Sequence, residues 1–234
     1  MLEAVIFDVD GTLSDTERDG HRPAFNEAFA IHGLDLAWDA DEYGELLKIT
    51  GGCHRIAHDL RARGIADATG QLAVAIHRTK TDLFCSQVAD GRLSPRPGLV
   101  ELIADLRNCG IRVAVATTGS RRWVRPLVHQ LIGEGTAEVI VTGDDVSQLK
   151  PDPEVYLRAL DELCLRPEDA LAVEDSAVGL RSARAAGLAT VIVTNGYTKD
   201  QDFDGAAAVH PGYDTGPALL TDRCRQIHHN WWTS

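Results

Sequence analysis

The sequence predicts an α/β protein with one parallel β-sheet and an α-helical insertion after the first strand. Short apolar runs rich in β-branched residues alternate with helical stretches in the second part of the chain. This alternation is typical of βαβ units with helices on both faces of a sheet. A similar apolar run opens the chain, whereas residues from about 15 to about 93 show helical patterns and no convincing strand.

The predicted strands are residues 4–9, 112–118, 138–142, 170–174 and 189–194. Three helices between them carry start or stop signals. Apolar residues repeat at helical spacing over 99–106, and Gly110 follows as a C-terminal cap. Asp152 is a suitable N-cap for the next helix, with a proline directly after it. A third helix is predicted over 176–186 and ends at Gly187.

The insertion predicts two domains. Residues 1–14 and 95–234 form the sheet domain, and residues 15–94 form the helical domain. Pro and Gly residues between 94 and 98 suit the second boundary, because both residue types interrupt regular structure.

The chain of 234 residues carries 23 Lys and Arg against 35 Asp and Glu, a net charge of −12. Nucleic acids and anionic membranes bind clustered Lys and Arg, so neither is an expected partner. No apolar stretch reaches the roughly 18 residues of a membrane span, and no signal peptide pattern is visible. We therefore expect a cytoplasmic protein, and we expect a monomer.

The five cysteines are scattered, at Cys53, Cys85, Cys109, Cys164 and Cys224. No CxxC pair or Cys/His pair at zinc spacing occurs, so a structural zinc site is not expected. Buried, unreactive thiols in a reducing compartment are the expectation.

The strongest local motif is the segment from Asp8 to Leu13, Asp-Val-Asp-Gly-Thr-Leu, at the end of the first strand. Residues i and i+2 of a strand face the same way, so Asp8 and Asp10 repel each other unless a cation or proton lies between them. Ligands bind at the carboxyl ends of strands in open α/β sheets, and Mg²⁺ prefers oxygen ligands. The alternative is that the two acids only end a strand and enter a turn at Gly11.

Further polar residues follow the later strands. Thr117 and Thr118 come where the second strand meets a helix, whose N-terminus suits a phosphate or simply a cap. Lys150 lies in a Pro-rich turn, where it could neutralise a phosphoryl group or be an ordinary solvated lysine. Glu174 and Asp175 end another strand and could complete a metal site, since buried acids need compensation.

The motif at residues 8–13, then Thr117, Lys150 and the acidic pair at 174–175, resemble in type and order the four motifs of the haloacid dehalogenase superfamily. The resemblance covers essentially the whole chain and implies a Rossmann-like core with a helical cap. Residues 15–22, 24–26, 50–52 and 77–81 most resemble the CbbY-like sugar phosphatases within the β-phosphoglucomutase-like subgroup. The resemblance implies a phosphatase acting on a small phosphorylated sugar, with a ketose bisphosphate such as xylulose 1,5-bisphosphate as substrate.

The resemblance also implies roles for matching residues. Asp8 is the nucleophile that forms an aspartyl-phosphate, and Asp10 is the general acid and base. Thr117 and the next backbone N–H, that of Thr118, hold the phosphoryl oxygens, and Lys150 balances their charge. Mg²⁺ is held by the Asp8 carboxylate, the Asp10 carbonyl and Asp175, with Glu174 in support.

In the cap, Glu17 and His21 are expected to bind sugar hydroxyls, and Arg55 and Lys80 to bind a second phosphate. The alternative places all four on solvated surfaces. The subgroup usually carries Lys after the Gly-Gly pair, whereas this chain has Cys53, His54 and Arg55 there. One basic group is therefore lost or replaced by a titratable His.

Two other functions stay open at this stage. A phosphomutase of the β-phosphoglucomutase type shares the same core and cap, although Thr12 after Gly11 favours a phosphatase. A receiver-like phosphorylation switch also uses Asp, Thr and Lys at sheet ends, but such a switch needs no helical insertion to cover a substrate.

Overall fold

Six parallel strands form the predicted sheet, so the α/β class is confirmed. The computed structural model describes residues 1–49, 51–67 and 69–233. The strands are β1 (Ala4–Phe7), β2 (Arg112–Ala116), β3 (Val139–Val141), β4 (Ala170–Glu174), β5 (Ala189–Val193) and β6 (Ala208–His210). Their order across the sheet is β3-β2-β1-β4-β5-β6. The sequence pattern missed β6 because three residues are too few to show a period.

The central strand is β1, although it comes first in the chain. It pairs in parallel with β2 on one side and β4 on the other, and Phe7 aligns with both Val115 and Val173. Because the three strands run in the same direction and in register, the segments that follow them leave the sheet at one edge. This edge is where open α/β sheets bind ligands.

The remaining regular structure is helical. The helices are a π-helical segment at Glu17–His21, α1 (Arg22–Ile31), α2 (Ala40–Leu46), α3 (Gly52–Ala62), α4 (Gln71–Ala89), α5 (Leu99–Asn108), α6 (Arg121–Ile132), α7 (Glu154–Leu163), α8 (Ala177–Ala185) and α9 (Thr221–Thr233), with 3₁₀ turns at Gly143–Asp145 and Pro167–Asp169. Among the described residues, no helix combines the length and the apolar character that a membrane span requires.

The helix signals in the sequence correspond to real ends. Gly110 follows α5 with a φ of 73°. The helix α7 begins one residue later than predicted, with Pro153 as the N-cap, and the Asp152 carboxylate accepts the Glu154 N–H at 3.0 Å. The Ser176 hydroxyl accepts the Gly179 N–H at 3.1 Å at the start of α8. These contacts satisfy backbone groups that a helix leaves unpaired at its termini.

The chain divides into two compact units, residues 1–15 with 93–234 and residues 16–92. The first contains the whole sheet. Ile6 of β1 lies in a buried apolar cluster with Tyr156 of α7 and Ala183 of α8. Phe7 is buried too and faces the other way, where α5 and α9 contact the strands. Burial on both faces explains why the strands read as continuous apolar runs.

The second unit contains the π-helical segment and helices α1 to α4, and among its described residues no strand is present. Its core is aromatic: ring centroids of Phe25 and Trp38 lie 4.9 Å apart, and those of Trp38 and Tyr43 lie 5.8 Å apart. The Trp38 indole N–H donates to Asp59 Oδ2 at 2.8 Å, which satisfies a buried polar group. The substrate-binding role expected of this helical unit remains a prediction.

The five cysteines form no disulfide. Cys224 is buried, and burial raises the pKa of its thiol to about 12, which makes it unreactive. The expectation of buried thiols is wrong for Cys109 and Cys164, which are exposed because they follow the last turns of α5 and α7 at the surface.

Candidate active site

Asp8 is the first residue after β1 and is buried at the carboxyl edge of the sheet. Its backbone N–H donates to the Val173 carbonyl at 3.0 Å, which continues the pairing with β4. Lys150 Nζ donates to Asp8 Oδ1 at 2.6 Å. Burial raises the pKa of Asp8, and the Lys150 ammonium opposes that rise. The side chain therefore lies in a desolvated place where its charge depends on cations.

The turn after Asp10 needs glycine. Gly11 has a φ of 79°, and a Cβ there would lie 2.3 Å from Asp175 Oδ2 and 2.6 Å from Asn195 Nδ2. Only glycine combines that backbone conformation with so close an approach. The turn predicted at Gly11 is confirmed, and it keeps the half-buried Asp10 near the strand end.

Lys150 is 9% exposed, so its interpretation as a solvated lysine is wrong. Its ammonium donates to Asp8 Oδ1 and Glu174 Oε1, both at 2.6 Å, and to the Ala116 carbonyl at 2.9 Å. Burial lowers the pKa of Lys150, but the Asp8 and Glu174 carboxylates more than reverse this and hold the pKa above its ordinary value. The side chain is thus a permanent buried cation at the ends of three strands.

Glu174 is the last residue of β4, and its Oε1 also accepts the Tyr156 hydroxyl at 2.6 Å. Burial raises the pKa of Glu174 to about 7, against the opposing effect of Lys150. Sequence reasoning missed Tyr156, because an aromatic residue in the apolar stripe of α7 looks like core packing. Its hydroxyl, however, orients an acid at the sheet edge.

Asp175 follows directly and is buried as well. Its Oδ2 accepts the side-chain N–H of Asn195 at 2.7 Å. Burial, and then the charges of Asp8 and Glu174, raise the pKa of Asp175 well above its ordinary value. The sequence analysis also missed Asn195, although a polar residue just after the fifth strand was the same kind of signal as Thr117 or Asp175.

Together Asp8, Glu174 and Asp175 offer carboxylate oxygens that all lie within 4.8 Å of one another. The donors are hard oxygens, and the three buried acids share the Lys150 ammonium, with the Arg96 charge acting on Asp175. A divalent cation would stabilise their ionised forms, which burial and mutual repulsion now disfavour. The cluster could therefore hold a metal ion.

Thr117 and Thr118 follow β2, the neighbour of β1. Thr117 is buried, and its N–H donates to the Val141 carbonyl at 3.1 Å. Its Oγ1 accepts the Gly119 N–H at 3.1 Å. Thr118 is half-buried, and its carbonyl lies so close to Gly143 that a Cβ there would be 2.4 Å away. The phosphate-binding role of both residues remains a prediction.

Within the second unit, Glu17, Tyr43 and Arg55 form one polar cluster. The Tyr43 hydroxyl donates to Glu17, and Arg55 Nη1 donates to the Tyr43 oxygen at 3.2 Å. Arg55 Nε donates to the Leu46 carbonyl at 2.9 Å. Glu17 is half-buried and Arg55 is buried, so a solvated surface is wrong for the arginine.

His21 and Lys80 meet in the same unit and are also buried, contrary to the surface alternative. Lys80 Nζ and His21 Nδ1 are 2.8 Å apart, and Lys80 Nζ lies 4.7 Å from the Phe25 ring centroid. Burial and then the Lys80 charge lower the pKa of His21 well below its ordinary value. The neutral imidazole therefore accepts a hydrogen bond from the Lys80 ammonium.

The loop before Arg55 departs from the subgroup pattern. Thr50 lies outside the described residues. Cys53 is half-buried and His54 is exposed at the start of α3. Of the three residues after the Gly-Gly pair, only Arg55 is buried as a cation.

The parallel sheet, its acidic edge and the buried lysine define an α/β protein whose site suits phosphoryl chemistry. A family model of haloacid dehalogenase-like hydrolases matches residues 2–187. The chain belongs to this family, so the resemblance carried by its motifs and the prediction of a phosphatase of this family are confirmed.

Named relatives agree with this membership. The chain is 47% identical over 209 residues to protein CbbY from Cereibacter sphaeroides, covering 88% of this chain and 90% of that protein. It also matches the crystal structure of a CbbY mutant from Rhodobacter sphaeroides in complex with xylulose 1,5-bisphosphate, with a TM-score of 0.80, 42% identity and coverage of 94% and 98%. A β-phosphoglucomutase from Clostridium difficile has a TM-score of 0.78 over both full chains, but its 20% identity shows the fold alone.

Proposed function

We propose that the protein is a Mg²⁺-dependent phosphatase that hydrolyses a small sugar bisphosphate, such as xylulose 1,5-bisphosphate, through an aspartyl-phosphate intermediate. The observation that carries this proposal is the placement of Asp8, with Lys150 at 2.6 Å and with Glu174 and Asp175 in one buried cluster. The complex of a CbbY relative with xylulose 1,5-bisphosphate supports the substrate class.

The metal site would use the Asp8 carboxylate, the Asp10 backbone carbonyl and Asp175, with Glu174 held in support by Lys150 and Tyr156. The residues fit Mg²⁺, because the donors are oxygens and their three negative charges exceed the two positive charges of Lys150 and Arg96. When bound, Mg²⁺ supplies positive charge against the phosphoryl oxygens and the carboxylates.

In the first step, an Asp8 oxygen attacks the phosphorus and the bond to the sugar oxygen breaks. Asp10 gives a proton to that oxygen, so the sugar leaves as an alcohol. In the second step, Asp10 takes a proton from water, and the water oxygen attacks the aspartyl-phosphate. Inorganic phosphate leaves, and the carboxylate of Asp8 and the proton of Asp10 are restored. Covalent catalysis divides the hydrolysis into two easier displacements.

Charge on the transferred phosphoryl group is met by Lys150, Thr117 and the Thr118 N–H. Because the Thr117 oxygen already accepts the Gly119 N–H, its own hydroxyl proton is available to a phosphoryl oxygen. The lysine is protonated before the attack, since the Asp8 and Glu174 carboxylates raise its pKa. Positioning and charge compensation are the main requirements of phosphoryl transfer.

Recognition of the sugar and of its second phosphate is assigned to the helical unit. Arg55 and Lys80 are buried cations, and Tyr43 links Arg55 to the half-buried Glu17. Both lie against aromatic rings, with the Arg55 guanidinium carbon 5.3 Å from the Tyr43 ring centroid. Such desolvated cations bind phosphate strongly. Glu17 supplies an acceptor for a sugar hydroxyl, and His21, whose Nδ1 accepts from Lys80, supplies its Nε2–H as a donor.

A phosphate-release screen over sugar monophosphates and bisphosphates, with and without Mg²⁺, tests the proposal. We expect the highest kcat/KM with a ketose bisphosphate, loss of activity with a chelator and recovery with Mg²⁺. Asp8→Asn removes the nucleophile and should lower turnover at least about 1,000-fold. Asp200→Asn, at an exposed acid, should match wild type. Wild-type turnover by Asp8→Asn would contradict the mechanism.

The phosphomutase remains the alternative, and the same reactions separate the two. In ³¹P NMR spectra a phosphatase accumulates inorganic phosphate, whereas a mutase accumulates an isomerised sugar phosphate without net phosphate release. A stable phosphoprotein without turnover on any substrate would instead indicate a phosphorylation switch.

A further inference from the structure

Arg96 follows the second chain connection between the two units and belongs to the unit that contains the sheet. Residues 94–98 are predicted as a domain boundary, yet Arg96 is only 8% exposed. A buried guanidinium is costly unless its donors are satisfied. Its partners therefore indicate why an arginine is buried here.

The partners of Arg96 are backbone carbonyls at the catalytic edge. Nη1 donates to the Gly11 carbonyl at 2.7 Å and to the Val193 carbonyl at 2.8 Å, and Nη2 donates to the Thr194 carbonyl at 2.6 Å. Nε lies 3.7 Å from Asp15 Oδ1. One side chain thus joins the turn after β1 to the end of β5.

The Gly11 carbonyl connects this arrangement with the acidic cluster. It also lies 3.4 Å from Asn195 Nδ2, and the same amide donates to Asp175 Oδ2 at 2.7 Å. A shift of the Gly11 peptide would therefore disturb Asp175 as well as the turn that carries Asp10.

Tyr213 holds the next carbonyl of the same turn. Its hydroxyl donates to the Thr12 carbonyl at 3.0 Å, and the Arg96 guanidinium carbon lies 5.6 Å from its ring centroid. Gly98 permits this packing, because a Cβ there would lie 2.9 Å from the Tyr213 Cβ. Two successive carbonyls, those of Gly11 and Thr12, are each held by a buried side chain from a distant part of the chain.

We propose that Arg96 is a positioning residue of the proposed phosphatase reaction. It holds the turn at Gly11 so that Asp10 and Asp175 keep their places beside Asp8, and Tyr213 assists through Thr12. The inference rests on the proposed function for its kinetic part. Its effect reaches the chemistry through backbone carbonyls, so it should change kcat more than KM.

The test compares Arg96→Met, Arg96→Lys and Tyr213→Phe with wild type. Arg92→Met is the matched control, because Arg92 is an exposed arginine near the same connection, 3.1 Å from Asp90. Leu102→Ala, at a fully buried position of α5, is the control for simple loss of stability. The measurements are kcat, KM, melting temperature, Mg²⁺ affinity by calorimetry, and amide hydrogen exchange of the peptide spanning residues 8–15.

We expect Arg96→Met to lower kcat about 10- to 100-fold, the range seen when residues supporting a site are removed, with KM changed less than about threefold. Mg²⁺ affinity should fall and exchange over residues 8–15 should accelerate. Arg96→Lys keeps one charged donor and should recover part of each loss. Tyr213→Phe should accelerate the same exchange. Both controls should leave kcat, Mg²⁺ affinity and loop exchange as in wild type.

Unchanged kcat and unchanged loop exchange in Arg96→Met would overturn the inference. So would an equal loss of kcat in Leu102→Ala at a matched fall in melting temperature, since that indicates a purely structural role. If Arg96→Met does not fold, Arg96→Lys and Tyr213→Phe decide by the same criteria. If wild type releases no phosphate from any substrate, the proposed function fails, whereas exchange and Mg²⁺ affinity still test Arg96 independently.

Discussion

Gly179→Ala offers a severe test of the way Glu174 is held. Gly179 lies in the first turn of α8, against the carboxylate of Glu174. A Cβ there would lie 1.9 Å from Glu174 Oε2 and 2.0 Å from its Cδ, whereas ordinary contact begins at 3.4 Å. The carboxylate must withdraw by 1.5 Å, the difference between 3.4 and 1.9.

That withdrawal breaks two contacts of 2.6 Å, those of Glu174 with Lys150 and with Tyr156. Overpacking in a core costs about 1–3 kcal/mol, and a lost hydrogen bond to a charged group costs about 1.5–3 kcal/mol. Alanine regains about 1 kcal/mol, because it is the better helix former. Counting both lost hydrogen bonds, we expect a net loss of about 3–8 kcal/mol, or about 6–30 °C in melting temperature.

Thermal denaturation followed by circular dichroism measures the loss, and kcat measures its consequence for Lys150 and the acidic cluster. We expect kcat to fall about 10- to 100-fold. Gly196→Ala is the matched control, because a Cβ at Gly196 meets nothing within 4 Å. Its stability should stay within about 1 kcal/mol of wild type. If Gly179→Ala is as stable and as active as wild type, the proposed support of Glu174 is wrong.

Two further predictions concern the helical unit. The pKa of His21 lies well below its ordinary value of 6.5 in the folded state. Between these two pKa values, the unfolded chain binds a proton at His21 that the folded chain does not bind. The free energy of unfolding should therefore fall as the pH drops below about 6.5. His21→Gln should reduce the fall in melting temperature between about pH 7 and pH 5, measured by thermal denaturation. His58→Gln, at an exposed position, is the control. If the melting temperature of His21→Gln falls with pH as steeply as that of wild type, the prediction is wrong. Lys80→Met should lower kcat/KM for a sugar bisphosphate about 10- to 100-fold, mainly through KM, because a charged hydrogen bond is worth about 1.5–3 kcal/mol. In steady-state assays, Lys80→Met should change kcat/KM for the corresponding monophosphate little. The exposed control Lys48→Met should change kcat/KM little for either substrate. Equal losses of kcat/KM on both substrates in Lys80→Met would argue against a second phosphate at Lys80.

The local sequence pattern was sufficient to predict the fold class and the acidic residues at the strand ends. The β-branched runs of β1, β2, β4 and β5 are long enough to show burial on both faces, and caps such as Ser176 act within a few residues of their own position. Asp8, Lys150, Glu174 and Asp175 were all predicted, because a parallel sheet brings the ends of its strands to one edge whatever the intervening chain does.

The sequence by itself therefore determined the parallel α/β class, the helical insertion and the family whose motifs the chain carries. Only the tertiary structure decided which ordinary residues support those motifs. Tyr156 lies in an apolar helix stripe, Asn195 just after a strand and Arg96 in a linker. Nothing local distinguishes Tyr156 or Arg96, whereas Asn195 carries the same strand-end signal as Thr117. Their partners are 18, 20 and 85 residues away in the chain. A hydrogen bond over such a separation depends on how the elements pack, and packing leaves no periodic trace in the sequence.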